Sequence, residues 1–191
     1  AQTAIDVTWT ASASPDAALI QVWRRGFGFA PEYSDLGGAA PAAPAIGVDP
    51  NEGTTAVEKI VRAHETLGLR AIAAFPAGCS PQAPIDDKVW YPVYAKCCEL
   101  GIPVFMCVGV PGPRVPMRCQ QVELLDEVCW FFPELTIVMR HGAEPWEELA
   151  VKLMLKWPNL HYSTSAFAPR YYPTAIIDYA NTRGADKIIY G

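Results

Sequence analysis

Proton transfer near neutral pH needs a group that titrates there, and the chain offers three imidazoles, His64, His141 and His161. His141 has the setting for acid/base work: it closes an apolar run, follows Arg140 and precedes Glu144 by three residues; a histidine hydrogen-bonded to a loop carbonyl is the alternative. Cys107 ends another apolar run and would serve as a nucleophile if His141 lowered its pKa; a packed thiol is the alternative. Arg114 in GVPGPRVP, together with Arg140 and Arg170, has the fork geometry to clamp a substrate carboxylate, and Glu144 joins Arg114 and Arg140 as a substrate-binding candidate. Pairing of these arginines with nearby acids is the competing reading. Other chemistry is excluded by pattern. GVPGP lacks a Gly-Lys-Ser/Thr ending and its prolines remove backbone donors, so it is no phosphate loop. Ser163, Thr164 and Ser165 have no G-x-S-x-G elbow around them and read as strand-end hydrogen-bonding residues. His64, on a helix face, and His161, in a buried-type strand, read as structural.

These residues need elements to hold them. Apolar, β-rich runs at 45–48, 69–75, 103–109, 135–141, 160–165 and 187–190 lack polar alternation, as strands buried on both faces of a parallel sheet do. Residues 4–9 add one more strand. Helical segments lie between the runs. In TTAVEKIVRAHETLG, Thr55 and Glu58 fit a capping box, Val57, Ile60, Val61, His64 and Leu67 share a face, and Gly68 supplies the stop. Asp86 or Asp87 opens a second helix closed by Gly101, Val122 to Cys129 marks a third before Pro133, and Pro145 and Pro173 fit the first turns of two more, the last ended by Gly184. Strand-to-strand spacing suits βαβ crossovers, and the strand ends VDPN, FPAGCSPQ, CVGVPGPR, RHGAEPW and STSAFAPR are the polar, Gly- and Pro-rich loops where such folds bind ligands. Residues 11–44, with DLGGAAPAAPA, show no period and read as a connector.

The run of strand ends resembles the amidohydrolase-related family of (β/α)8 barrels, an aminocarboxymuconate-semialdehyde decarboxylase-like branch of the amidohydrolase superfamily. VDPN, LRAIAAFPAG, YPVYAKCCELGIPV, FFPELTIVMRHGAEPW, WPNLHYSTSA and GADKIIYG carry the resemblance over residues 45–191, with RHGAEPW and the final strand the most specific. It implies an α/β fold of the TIM type. With 191 residues against the about 250 that such a barrel typically needs, the expectation is an incomplete or truncated (β/α)8 barrel forming a single domain over 1–191.

The resemblance also implies a divalent metal that activates water or a substrate carboxylate. The family's first strand reads Ile-Asp-x-His-x-His, and here Thr8 and Thr10 stand at the two histidine positions. Cys107 stands where the His-Thr-Gly histidine would be, His141 is retained, and the family's Gly-Ser-Asp aspartate follows the position of Gly191. Cys107 and His141 fall short of the three protein ligands of a catalytic zinc site. No metal or other cofactor is therefore expected, with zinc or manganese the choice if other ligands rebuild the site.

Composition limits the function classes. With 51% hydrophobic and 18% charged residues the chain is globular, and a net charge of −5 without basic runs argues against nucleic acid. No apolar stretch is long enough to span a membrane, and no signal-peptide pattern opens the chain, so a cytoplasmic protein is expected. The six cysteines form no CxxC and read as free thiols. Two functions remain: hydrolysis or decarboxylation of a small carboxylated substrate with His141 as acid/base, or a metal-free, non-catalytic barrel acting as a binding or partner subunit. The expected partners are a small-molecule substrate and either a second copy in a homodimer or a larger assembly. Trp90, Tyr91, Tyr94, Trp130, Tyr171 and Tyr172 are the aromatic candidates for such an interface.

Overall fold

The computed structural model describes residues 45–190. The strand expected at 4–9, the connector at 11–44, and Thr8 and Thr10 lie outside the described residues. Six strands form one parallel sheet in chain order: β1 Ala45–Val48, β2 Ala71–Ala74, β3 Val104–Cys107, β4 Ile137–Arg140, β5 Leu160–Ser163 and β6 Ile188–Ile189. β1 coincides with a run expected from sequence, and each of the others falls inside one, shorter by the residues that turn into the loops. The main connecting helices are α1 Thr54–Leu67, α2 Tyr91–Leu100, α3 Leu125–Phe131, α4 Glu147–Lys156 and α5 Thr174–Ala180.

Period-two alternation gives the sheet two faces. Ile72, Val104, Met106, Ile137, Met139, Leu160 and Tyr162 join helix residues such as Ile60, Val93, Val128, Leu153 and Ile176 in one apolar cluster. The other face carries a different row. Gly47 pairs with Ala73, Ala73 with Phe105, Phe105 with Val138, and Val138 with His161. One layer nearer the carboxyl ends, Cys107 pairs with Arg140, and the Met139–Tyr162 pair sets Ser163 beside Arg140. Apolar rows thus underlie a polar one at the rim.

Several local expectations are corrected. Helix α1 starts at Thr54 with Gly53 as its cap, so Thr55 and Glu58 make no capping box. Its buried residues are Ala56, Ile60 and Ala63, while Leu67 is 61% exposed. The period is as expected but its phase is rotated, and the small alanines face the core because they allow close approach. Gly68 does stop the helix, at φ 63°. Pro145 precedes the cap residue of α4, and Pro173 is the cap residue of α5, so both set the turn before the helix rather than its first residue. Trp90 and Tyr94 are fully buried instead of forming an interface. Their rings stack at 5.9 Å, Trp90 Nε1 donates to the Ala83 carbonyl at 3.1 Å, and Tyr94 Oη donates to that of Ile85 at 2.7 Å. The polar tips of two core aromatics thereby fasten the long loop after β2.

Candidate active site at the carboxyl rim

The loops after β2, β3 and β4 are tied into one rim. Gln120, only 1% exposed, accepts from the Ala77 N–H at 3.3 Å and donates to the Gly109 carbonyl at 2.8 Å. Gly109 N–H returns a bond to the Gln120 carbonyl at 2.9 Å, and Val110 N–H reaches the Glu144 carbonyl at 2.8 Å. Gly109 sits at φ 86° where a Cβ would lie 2.6 Å from the Glu144 carbonyl oxygen, so backbone meets backbone there and only glycine fits. Tyr162 Oη donates to the Gly142 carbonyl at 2.9 Å, fixing the β4 loop from below.

On this rim His141 takes φ 68°, an uncommon conformation for a residue with a side chain. Its backbone N–H donates to Ser165 Oγ at 3.4 Å, and its Nδ1 lies 3.3 Å from the same oxygen. Ser165 N–H in turn donates to Ser163 Oγ at 3.4 Å. The serines act as the strand-end hydrogen-bonding residues expected of them. The His141 pKa is lowered to about 4, chiefly by burial and also by repulsion from Arg140, with the Ser165 hydrogen bond opposing both. The imidazole is therefore neutral at physiological pH.

Arg140 is buried, 6% exposed, with its pKa lowered chiefly by desolvation. Cys107 lies beside it across the sheet; burial raises the thiol pKa, and the neighbouring guanidinium only partly offsets this. Thiol rather than thiolate is the resting form, which does not favour the nucleophile reading. Glu144 is half-buried in the same loop as His141, near Gly142. Arg114, on the loop after β3, is exposed and has no hydrogen bond or ion pair among the described residues, whereas Arg140, His141, Cys107 and Glu144 stand at or just beyond the ends of the adjacent strands β3 and β4. Gln120, Ser165 as the imidazole's partner, and Gly109 as the loop contact were not singled out from sequence. Only the strand-end position of Ser165 signalled it.

Three or more His, Cys, Asp or Glu side chains placed to hold a metal ion do not occur among the described residues. Cys107 and His141 supply at most two donors, and the cation beside them is Arg140. The described residues do not fit the metal centre that the resemblance implies.

Residues 35–191 match a family described as amidohydrolase. Among solved structures, an uncharacterized TIM-barrel protein, Bb4693 from Bordetella bronchiseptica, is 28% identical, with a TM-score of 0.67 over 78% of this chain and 52% of its own. A 2,6-dihydroxybenzoate decarboxylase complexed with 2,6-dihydroxybenzoate is 17% identical, with a TM-score of 0.53 over 76% and 57%. A putative amidohydrolase from Staphylococcus aureus is 12% identical, with a TM-score of 0.53 over 75% and 59%. No curated protein matches. The chain spans about half the length of the solved proteins it matches.

Proposed function

Because the chain belongs to the amidohydrolase family, we propose that it acts on a small carboxylated substrate at the carboxyl rim, with His141 as the proton-transfer group and no metal. The contact between Ser165 Oγ and His141 Nδ1, beside the buried Arg140, carries this reading. Ser165 orients the ring, Arg140 supplies positive charge for a carboxylate, and Glu144 lines the same loop. An imidazole that protonates only at about pH 4 is free to accept a proton at neutrality and is a poor reservoir of one. Hydrolysis, in which His141 would take a proton from attacking water, and decarboxylation, in which a proton is delivered to carbon, are the two reactions the site would serve. A carboxylate bound at Arg140 would cancel the repulsion that depresses the imidazole, so binding substrate would itself strengthen the base.

The test is turnover of small carboxylated amides, esters and lactones, followed by product chromatography, with His141→Gln alongside. The variant is expected to lose at least about a hundredfold in rate, the usual scale of general acid/base catalysis. Rates that survive in the variant contradict the assignment. Dialysis against a chelator is expected to leave the rate unchanged; about one zinc or manganese per chain by elemental mass spectrometry, with activity lost on its removal, would defeat the metal-free reading.

A second reading, a non-catalytic partner subunit, is favoured by the shortage of metal donors on the described rim. Its sign would be binding of carboxylates without turnover. In either reading a homodimer or larger assembly is proposed. A cytoplasmic setting is also proposed, and six cysteines that are all free support it. Among the described residues, no helix is long and apolar enough to cross a membrane.

A further inference from the structure

The outer, helix-covered side of the sheet carries a feature that the rim does not explain. Along α3, a groove of about 510 Å³ is lined by Asp86, Glu123, Asp126 and Glu127 together with Trp130 and Trp157. Trp130 is 70% exposed and its neighbour Phe131 55%, although both stand on a seven-residue helix whose other side is packed in the core. Large exposed aromatics side by side are costly on a free surface and are enriched where partners dock.

Within the groove a lysine already meets an indole and a carboxylate. Lys156 Nζ lies 4.9 Å from the centre of the Trp157 ring and 2.7 Å from Asp126 Oδ1, while Trp157 Nε1 donates to the same carboxylate oxygen at 2.6 Å. A cation is thus held between an indole face and an acid. Trp130 meets Trp157 edge to face at 6.4 Å. Around Trp130, Asp86, Glu123 and Glu127 form no ion pair among the described residues, leaving three carboxylates to one internally paired lysine and aspartate. The surplus is negative beside an open indole.

We propose that this groove is a docking surface for a basic segment of a partner protein, with an arginine or lysine side chain seated on Trp130 and paired with Glu123 and Glu127. Charge complementarity selects the occupant. A second copy of this chain, with a net charge of −5, would bring like charge to an acidic groove. The inference is independent of the chemistry assigned to the rim.

Fluorescence anisotropy of a labelled hexa-arginine peptide with the whole chain tests it. Binding is expected to weaken steeply as salt rises. Trp130→Ala is expected to weaken it about tenfold, as loss of a partly desolvated cation–π contact would. Glu123→Gln with Glu127→Gln should weaken it and flatten the salt dependence, whereas Glu147→Gln with Glu148→Gln, away from the groove, should change nothing. Trp130 is exposed, so circular dichroism should show an unchanged fold. The proposal fails if the peptide does not bind at low salt, if Trp130→Ala binds like the wild type, or if the distant pair weakens binding equally. It also fails if sedimentation shows a dimer that Trp130→Ala dissociates, which would assign the groove to a second copy.

Discussion

At the scale of single residues, the state of His141 has a measurable consequence for stability. Its folded pKa of about 4 lies below the ordinary 6.5, so the unfolded chain binds the proton more tightly. The contribution of neutral His141 is complete above about pH 6.5, declines as pH falls and is exhausted below about pH 4. Discounted for partial solvent access, it amounts to roughly 1–3 kcal/mol. Urea unfolding at pH 4.5 and 7.5 should show His141→Gln narrowing the stability gap seen in the wild type; equal gaps would contradict the burial of the ring. Cysteine reactivity gives a second check. Burial drives the Cys79 and Cys129 thiols up to about 12 and raises Cys107, whereas Cys98 is half-buried. Iodoacetamide on the native protein, read by peptide mass spectrometry, should therefore label Cys98 first and leave Cys107 unmodified. The strand-end positions of His141, Arg140, Cys107 and Glu144 were legible in sequence because hydropathy marks where each strand stops. The imidazole's partner was not, since a serine 24 residues away reveals itself only once β4 and β5 lie side by side.

At the scale of elements, the rim depends on contacts between loops. Gly109→Ala places a Cβ against the Glu144 carbonyl and adds positive-φ strain, which should cost about 2–4 kcal/mol in urea unfolding. Gln120→Ala strands the buried Ala77 N–H and the Gly109 carbonyl, with an expected cost of about 2–3 kcal/mol and a loss of rim activity larger than Trp90→Ala would cause per unit of stability lost. Trp90→Ala, a plain core truncation, should cost about 3–5 kcal/mol. All six described strands were legible because a parallel strand buried on both faces leaves an apolar run between Gly- and Pro-rich loops. Helix details were less so. The phase of α1 depended on which small residues meet the core, and the burial of Trp90 and Tyr94 on hydrogen bonds to carbonyls of a loop with no sequence period. Gln120 carries no pattern at all, because its role is created where the loops after β2 and β3 meet.

At the scale of the whole molecule, six parallel strands in chain order and the match over residues 35–191 make this an amidohydrolase-family (β/α) architecture. Family membership and the local donor set pull apart, since the described rim offers an imidazole, a thiol and a guanidinium where the resemblance implies a metal. The conflict resolves if the guanidinium takes over part of the cation's electrostatic work, binding a carboxylate that then raises the basicity of His141. With only three histidines in the chain, 13C NMR of the imidazole Cε1 positions tests that most directly, in a titration with benzoate, maleate and succinate. At least one of these acids should shift the His141 resonance and move its titration upward from about 4, leaving the resonance of His64, whose Nδ1 lies 3.2 Å from the Leu69 carbonyl, unshifted. A His141 signal indifferent to all three would contradict a carboxylate site at this rim.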